Sequence, residues 1–212
     1  MRTASMENSE VCQVEVVVTP VMGTTGPAES ELCGLLRQTI ASSLILTAHP
    51  RTLITLSVYV QAEDGGVCAL AVNAAMLALV NAGVPMRTLM GAVTLGLFRG
   101  VGEGSSSSSS SSSSELLVDV TAAEEREAHS LALAVYTAEE VGGGGSPTAL
   151  ILRGSFSEQQ LRDAIETTKA AAVTVLKCSR AALREEVLKD AQTSFSSTLS
   201  TKLTLGEDRE MT

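Results

Sequence analysis

Aromatic side chains are nearly missing. The 212 residues include no Trp, two Tyr and three Phe, so a surface that stacks splayed bases on rings is nearly excluded. Basic charge is also scarce: 15 Lys and Arg face 24 Asp and Glu, a formal net charge of -9, which argues against gripping nucleic acid by bulk attraction. Any RNA contact must be local or shared with partners, through phosphate and sugar. The four cysteines, Cys12, Cys33, Cys68 and Cys178, have no C-x-x-C spacing and no clustered His, which reads as reduced core thiols of an intracellular protein rather than a metal site. No apolar run approaches the roughly 18 residues that span a bilayer, and the N-terminus has no apolar signal core, so a soluble protein without a membrane role is expected.

What is present is a 44% apolar chain, enough for one sizeable α/β-containing domain. Val11 to Thr19 is a β-branched run stopped by Pro20, a strand. Gly23 to Pro27 is loop chemistry, and Glu29 to Leu46 carries Leu32, Leu35, Leu36, Ile40 and Leu44 at helical spacing. From Arg51 to Gln61 the period is two, with Ile54, Leu56, Val58 and Val60 on one face. Asp64-Gly65-Gly66 makes a turn. Cys68 to Ala82 reads as a helix buried on most sides, with Gly83 as its C′ residue and Pro85 beyond.

Leu89 to Phe98 resembles a buried strand, weakened by Gly91 and Gly96. Residues 100–114, with ten consecutive serines, can bury nothing and are expected to be a disordered insert. Leu116 to Val120 and His129 to Thr137 read as strands joined by an acidic turn, Thr121 to Ala128. Gly142 to Pro147 is a loop, and Thr148 to Leu152 a strand. Ser157 caps a helix of about 30 residues whose apolar face runs from Leu161 through Ile165, Thr168, Ala172, Val175, Ser179 and Leu183 to Val187. Residues 1–10 and 191–212 are polar and expected to be flexible, leaving a domain at 11–190. The irregular order of strands and helices suits an α+β fold, with helices laid on mixed sheets, rather than a doubly wound sheet.

One stretch carries a family resemblance. His49-Pro50-Arg51-Thr52-Leu53-Ile54-Thr55-Leu56 is followed by Val60-Gln61, by Asp64-Gly65-Gly66, and by the helix Asn73-Ala74-Ala75-Met76-Leu77-Ala78-Leu79-Val80-Asn81-Ala82-Gly83-Val84-Pro85-Met86. It resembles the centre of the RNase PH domain, in register over nearly forty residues, as found in RNase-PH-like subunits of the RNA exosome core. The strand ending Glu15-Val16-Val17-Val18-Thr19-Pro20, the segment Leu117-Val118-Asp119-Val120 and the C-terminal helix agree in order. The resemblance implies an RNase PH-like α+β fold, of the ribosomal protein S5 domain 2-like class, shortened at the N-terminus. Ten residues stand where the family has several strands, so the first sheet is expected to expose an edge that a partner covers.

Phosphorolytic family members cleave RNA from its 3′ end with inorganic phosphate. By that resemblance Arg51 and Thr52 map onto the phosphate site, and Glu124 and Glu125 onto the first carboxylate position. His129-Ser130 replaces the second carboxylate, so the acidic site of Glu124, Glu125 and His129 is read as vestigial. RNA-gripping arginines give way to Ala28-Glu29-Ser30-Glu31, with Arg37 the nearest base and Arg51 the other RNA-binding candidate. Each residue also has a plainer reading: Arg37 as a solvated helix arginine, Arg51 as a strand-start ion pair, Glu124, Glu125 and Glu127 as a solvated acidic turn, His129 as a strand-edge histidine. No catalytic residue, cofactor or metal is expected.

The expected function is a noncatalytic subunit of the exosome ring, paired with other RNase-PH-like subunits, meeting RNA through the assembled ring in nucleus, nucleolus and cytoplasm. The alternative is an active enzyme working as a homodimer. It would be either a phosphorolytic 3′-5′ exoribonuclease using inorganic phosphate or a metal-assisted nuclease.

Overall fold

The computed structural model describes residues 12–21, 26–99, 114–143 and 145–207. The expected flexible segment 1–10 and nearly all of the serine insert fall outside these residues. Among the described residues, six strands and five helices follow one another as β1 (Gln13–Thr19), α1 (Pro27–Ser43), β2 (Leu53–Tyr59), α2 (Val67–Asn81), β3 (Met90–Arg99), β4 (Ser114–Val118), α3 (Ala122–Glu127), β5 (Ser130–Thr137), α4 (Ala138–Gly143), β6 (Ala149–Gly154) and α5 (Glu158–Glu207). The chain divides inside α5 into two units, Met1–Leu176 and Lys177–Thr212.

In the first unit, β1 and β2 pair in parallel from Gln13↔Leu53 to Thr19↔Tyr59. A parallel pair needs a crossover, and α1 supplies it. With two strands among the described residues, both are edges. Val16 and Val18 point inward and are buried, while Leu53 and Tyr59 on the outer face are 55% and 70% exposed. The second sheet is antiparallel in the order β4-β3-β5-β6.

Strand alternation sets which side chains meet which helix. Met90, Ala92, Leu133 and Val135 join the core formed with α1 and α2. Val93, Ala134 and Tyr136 meet Ala172 of α5, and Leu95 and Ala132 meet Ala164. The Tyr136 hydroxyl donates to the Ile165 carbonyl or shares a proton with Thr168 Oγ1, each at 3.0 Å. Gly91 lets α5 sit close, since a Cβ there would stand 3.1 Å from Leu176 Cγ.

The expected α2 stop is realised. Gly83 N–H donates to the Val80 carbonyl and Val84 N–H to the Leu79 carbonyl, at 3.0 and 3.1 Å, with Gly83 at φ +70°, a Schellman arrangement. The helix is less enclosed than its composition suggests: Ala71, Val72, Ala75, Met76 and Leu79 are buried, but Leu70 is 68% exposed.

Three differences from the sequence reading have local causes. Thr121 to Ala128 is not a turn but carries α3, and the end of β5 continues into α4. In both, a Thr and a Glu three residues on cap each other: Thr121 N–H donates to Glu124 Oε2 at 2.8 Å and Thr137 N–H to Glu140 Oε2 at 2.9 Å. Ser157 and Gln160 form the same reciprocal pair at the start of α5, as expected.

The third difference is length, because α5 continues past Gln192 to Glu207. No Gly or Pro occurs between Gly154 and Gly206 to stop it. In the second unit Lys189 pairs with Glu185 at 2.9 Å, and Val187, expected on the apolar face, is 66% exposed. Cys178 is exposed rather than a core thiol. No helix of the described residues is long and apolar enough to cross a membrane.

Candidate functional site

The C-terminal ends of the parallel strands and the first turns of α1 and α2 enclose a cavity of about 200 Å³. Val18 comes from β1 and Val60 from just past β2, Glu29 and Glu31 from α1, and Gly66 and Cys68 from the start of α2. Across from them stand Thr94 of β3, Glu125 of α3 and Arg153 of β6.

Asp64-Gly65-Gly66 holds this arrangement together. Ala122 N–H at the start of α3 donates to the Asp64 carbonyl at 3.0 Å and lies 3.4 Å from Asp64 Oδ1. Gly65, at φ +88°, lies so close to the backbone before α3 that a Cβ would come 2.4 Å from the Val120 carbonyl oxygen. On the α3 side Asp119 takes φ +61°, and its N–H donates to the Thr94 carbonyl at 2.9 Å.

Two helix N-termini facing one cavity would ordinarily favour an anion. Here the chain provides the negative charge itself. Glu29 Oε2 accepts from Gly26 N–H at 2.7 Å, and Glu31 pairs with Arg153 at 2.9 Å. Glu63 and Glu125 add two further carboxylates to the lining. The cavity therefore holds four carboxylates against one guanidinium, which is already engaged. Burial raises the pKa of Cys68; Arg153 works against this, while Glu31, Glu125 and Glu63 reinforce it. The thiol stays protonated and is a poor nucleophile. Among the described residues no group of three or more His, Cys, Asp and Glu is placed to share a metal ion.

The residues singled out in the sequence do not form one constellation. Arg51 is exposed in the turn before β2, at φ +60°. The Thr52 hydroxyl donates to the His49 carbonyl at 2.6 Å. Both stand at the N-terminal end of β2, whereas α3 is docked on Asp64 beyond its C-terminal end. Seven strand residues separate them, a span of about 20 Å at 3.3 Å per residue.

The acidic trio is also divided. Glu125 lines the cavity. Glu124 turns back, its Oε2 accepting from the Thr121 N–H and hydroxyl, and these bonds hold its carboxyl below the usual range. The His129 ring lies 3.0 Å from Ser155 Oγ. Arg37 is exposed on α1 and does not line the cavity. Glu63, Cys68, Thr94 and Arg153 were not singled out. The D-G-G turn was the usable signal for the first two, but nothing local marks Thr94 or Arg153.

The fold and cavity can be set beside known proteins. Residues 2–85 match the model of the "3' exoribonuclease family, domain 1". The crystal structure of rice (Oryza sativa) Rrp46 superposes with a TM-score of 0.71 at 30% identity, covering 85% of this chain and 77% of that one. The chain belongs to this RNase PH family. The rice "Exosome complex exonuclease RRP46 homolog" is 29% identical over 201 residues, 89% of this chain and 79% of the relative. The human "Exosome complex component RRP41" is 43% identical over 65 residues, 31% of this chain and 26% of the relative. The likeness to rice Rrp46 agrees with the His49-Pro50-Arg51-Thr52 form of the motif, which points within the RNase PH family to ribosomal RNA-processing protein 46, also called exosome component 5.

Proposed function

We propose that the chain is a noncatalytic structural subunit of the RNA exosome core ring, supporting 3′-to-5′ RNA processing and degradation through its neighbours. Family membership and the relatives' names as exosome components supply the setting. The observation that carries the noncatalytic half is the cavity's charge: Glu29, Glu31, Glu63 and Glu125 surround a single Arg153 that is already paired. Two unit charges 4 Å apart interact by about 4 kcal/mol at the effective dielectric of a protein surface, so spare carboxylates oppose inorganic phosphate and an RNA backbone alike.

Its partners on this reading are other RNase-PH-like subunits, with RNA met through the assembled ring in nucleus, nucleolus and cytoplasm. The test is reconstitution of the ring with and without this chain. Omission is expected to prevent a complete ring, and a ring of unchanged composition sinks the proposal. The pure chain, incubated with RNA and phosphate, is expected to release no nucleoside diphosphate; release abolished by Arg51→Ala would instead establish the enzymatic alternative.

A further inference from the structure

One polar atom in the cavity wall lacks a partner. Thr94 is 8% exposed, and its Oγ1 is buried with no hydrogen bond. It follows Met90 and Ala92 on the face of β3 turned toward α2. A Cβ on Gly66, at the start of α2, would stand 3.7 Å from that oxygen. Buried hydroxyls are nearly always paired, and an orphan in a cavity wall marks a place where a ligand atom completes the pairing.

The surrounding charge says what kind of atom. Glu29 is used by Gly26 N–H and Glu31 by Arg153, while among the described residues Glu63 and Glu125 are left without a partner. Two helix N-termini contribute only about half a positive charge each, so the lining stays negative. The remaining wall is apolar, with Leu32, Leu35, Val60 and Ile151. A greasy wall, two spare carboxylates and an acceptor hydroxyl suit an alkyl stem ending in a cationic nitrogen, as long basic groups bury their methylenes and keep the charged head among anions.

We propose that this cavity binds a primary ammonium or guanidinium group on an alkyl stem, with Glu63 and Glu125 neutralising the head and Thr94 Oγ1 accepting one of its N–H groups. The cavity, at about 200 Å³, is several times a water molecule's share of about 30 Å³. The group comes from a free polyamine or from a lysine or arginine of a bound protein. The site is independent of the ring role, because it is read on the pure chain.

Calorimetry on the full chain at low salt tests it, with n-butylguanidinium and n-butylammonium as probes and n-butanol and inorganic phosphate as controls. Both cations are expected to bind and raise the melting temperature, and neither control to do so. The double variant Glu63→Gln and Glu125→Gln, changed at accessible side chains, is expected to lose affinity at least tenfold.

Thr94→Val removes the orphan. It should keep or raise the melting temperature of the free protein while weakening the cations several-fold, which separates a ligand role from a folding role. Spermidine and a Gly-Ser-Arg-Ser-Gly peptide distinguish the sources: whichever binds more tightly names the physiological form of the group. Cations that bind no better than butanol overturn the proposal, as does full affinity in the double glutamine variant.

Discussion

Asn73 of α2 holds Ala92 of β3 from both sides of its peptide group: the side-chain Oδ1 accepts from Ala92 N–H at 2.8 Å and Nδ2 donates to the Ala92 carbonyl at 2.9 Å. The reason lies in sheet register. β4 reaches only Leu95 to Arg99 of β3, so on that side Ala92 has no strand beside it, and the amide of Asn73 stands in for the missing strand. Asn73→Ala leaves two backbone groups unpaired and is expected to cost about 2–4 kcal/mol. Urea unfolding measures it, and a loss below about 1 kcal/mol would show that water replaces the amide.

Two glycines with positive φ are expected to respond differently to alanine. At Gly65 an added Cβ meets backbone at 2.4 Å, whereas at Gly83 nothing lies within 4 Å. Gly83→Ala bears only the left-handed penalty of about 1–2 kcal/mol. Gly65→Ala must also push α3 away and should lose about 3 kcal/mol or more. Equal melting temperatures for the two variants would refute the close packing of the D-G-G turn on α3.

Cys68 and Cys178 should separate in thiol labelling. Cys178 is exposed, and Cys68 is half-buried with its pKa raised by burial and by the carboxylates around it. At about pH 8 Cys178 is expected to react first, and Arg153→Ala should slow Cys68 further, since Arg153 is what favours its thiolate. Mass spectrometry of partly labelled protein reads the order. Cys68 modified as fast as Cys178 would contradict the electrostatic description.

The α3 cap should make an acid-sensitive contribution. Glu124 has its pKa lowered below 4.5 by the Thr121 backbone N–H first and its hydroxyl second. A carboxyl depressed in the folded state stabilises above its unfolded value and loses that contribution as pH falls through the folded one. The stability difference between the natural chain and Glu124→Ala is therefore expected in full at pH 6 and to shrink as pH falls below 4.5. A difference that does not change with pH over this acid range would place the effect in packing instead of the carboxylate.

These residues also show what the sequence could disclose. Periodicity located α1 and β2, because those patterns are set by burial on one face, whereas a β-branched run marked β1, an apolar run stopped by Gly83 and Pro85 marked α2, and the Ser157 cap marked the start of α5. Asn73 was visible as part of a family motif, yet its task became clear only when β4 proved shorter than β3. The helices α3 and α4 were legible in principle: Thr121 to Glu124 and Thr137 to Glu140 follow the same capping pattern that identified Ser157 to Gln160. The long acidic run and the glycines after Glu140 obscured them.

The site was harder, since Arg51 precedes β2 and Glu125 sits on α3 beyond the far end of that strand, while Glu63, Thr94 and Arg153 reach one cavity from the turn before α2, from β3 and from β6. Adjacency across a sheet leaves no mark on neighbouring residues. A D-G-G turn announces where the chain bends, but not which strand it will bend toward.

Arg99 and Ser114 are a paired rung at the end of the β3–β4 ladder, so whatever lies between them begins and ends at nearly the same place on the molecule's rim. The cost of closing such a gap grows only with the logarithm of its length, about 0.6 kcal/mol per doubling. Adding or removing residues between these two positions therefore changes protein length almost without thermodynamic consequence, and a reporter domain spliced there would inherit the same tolerance.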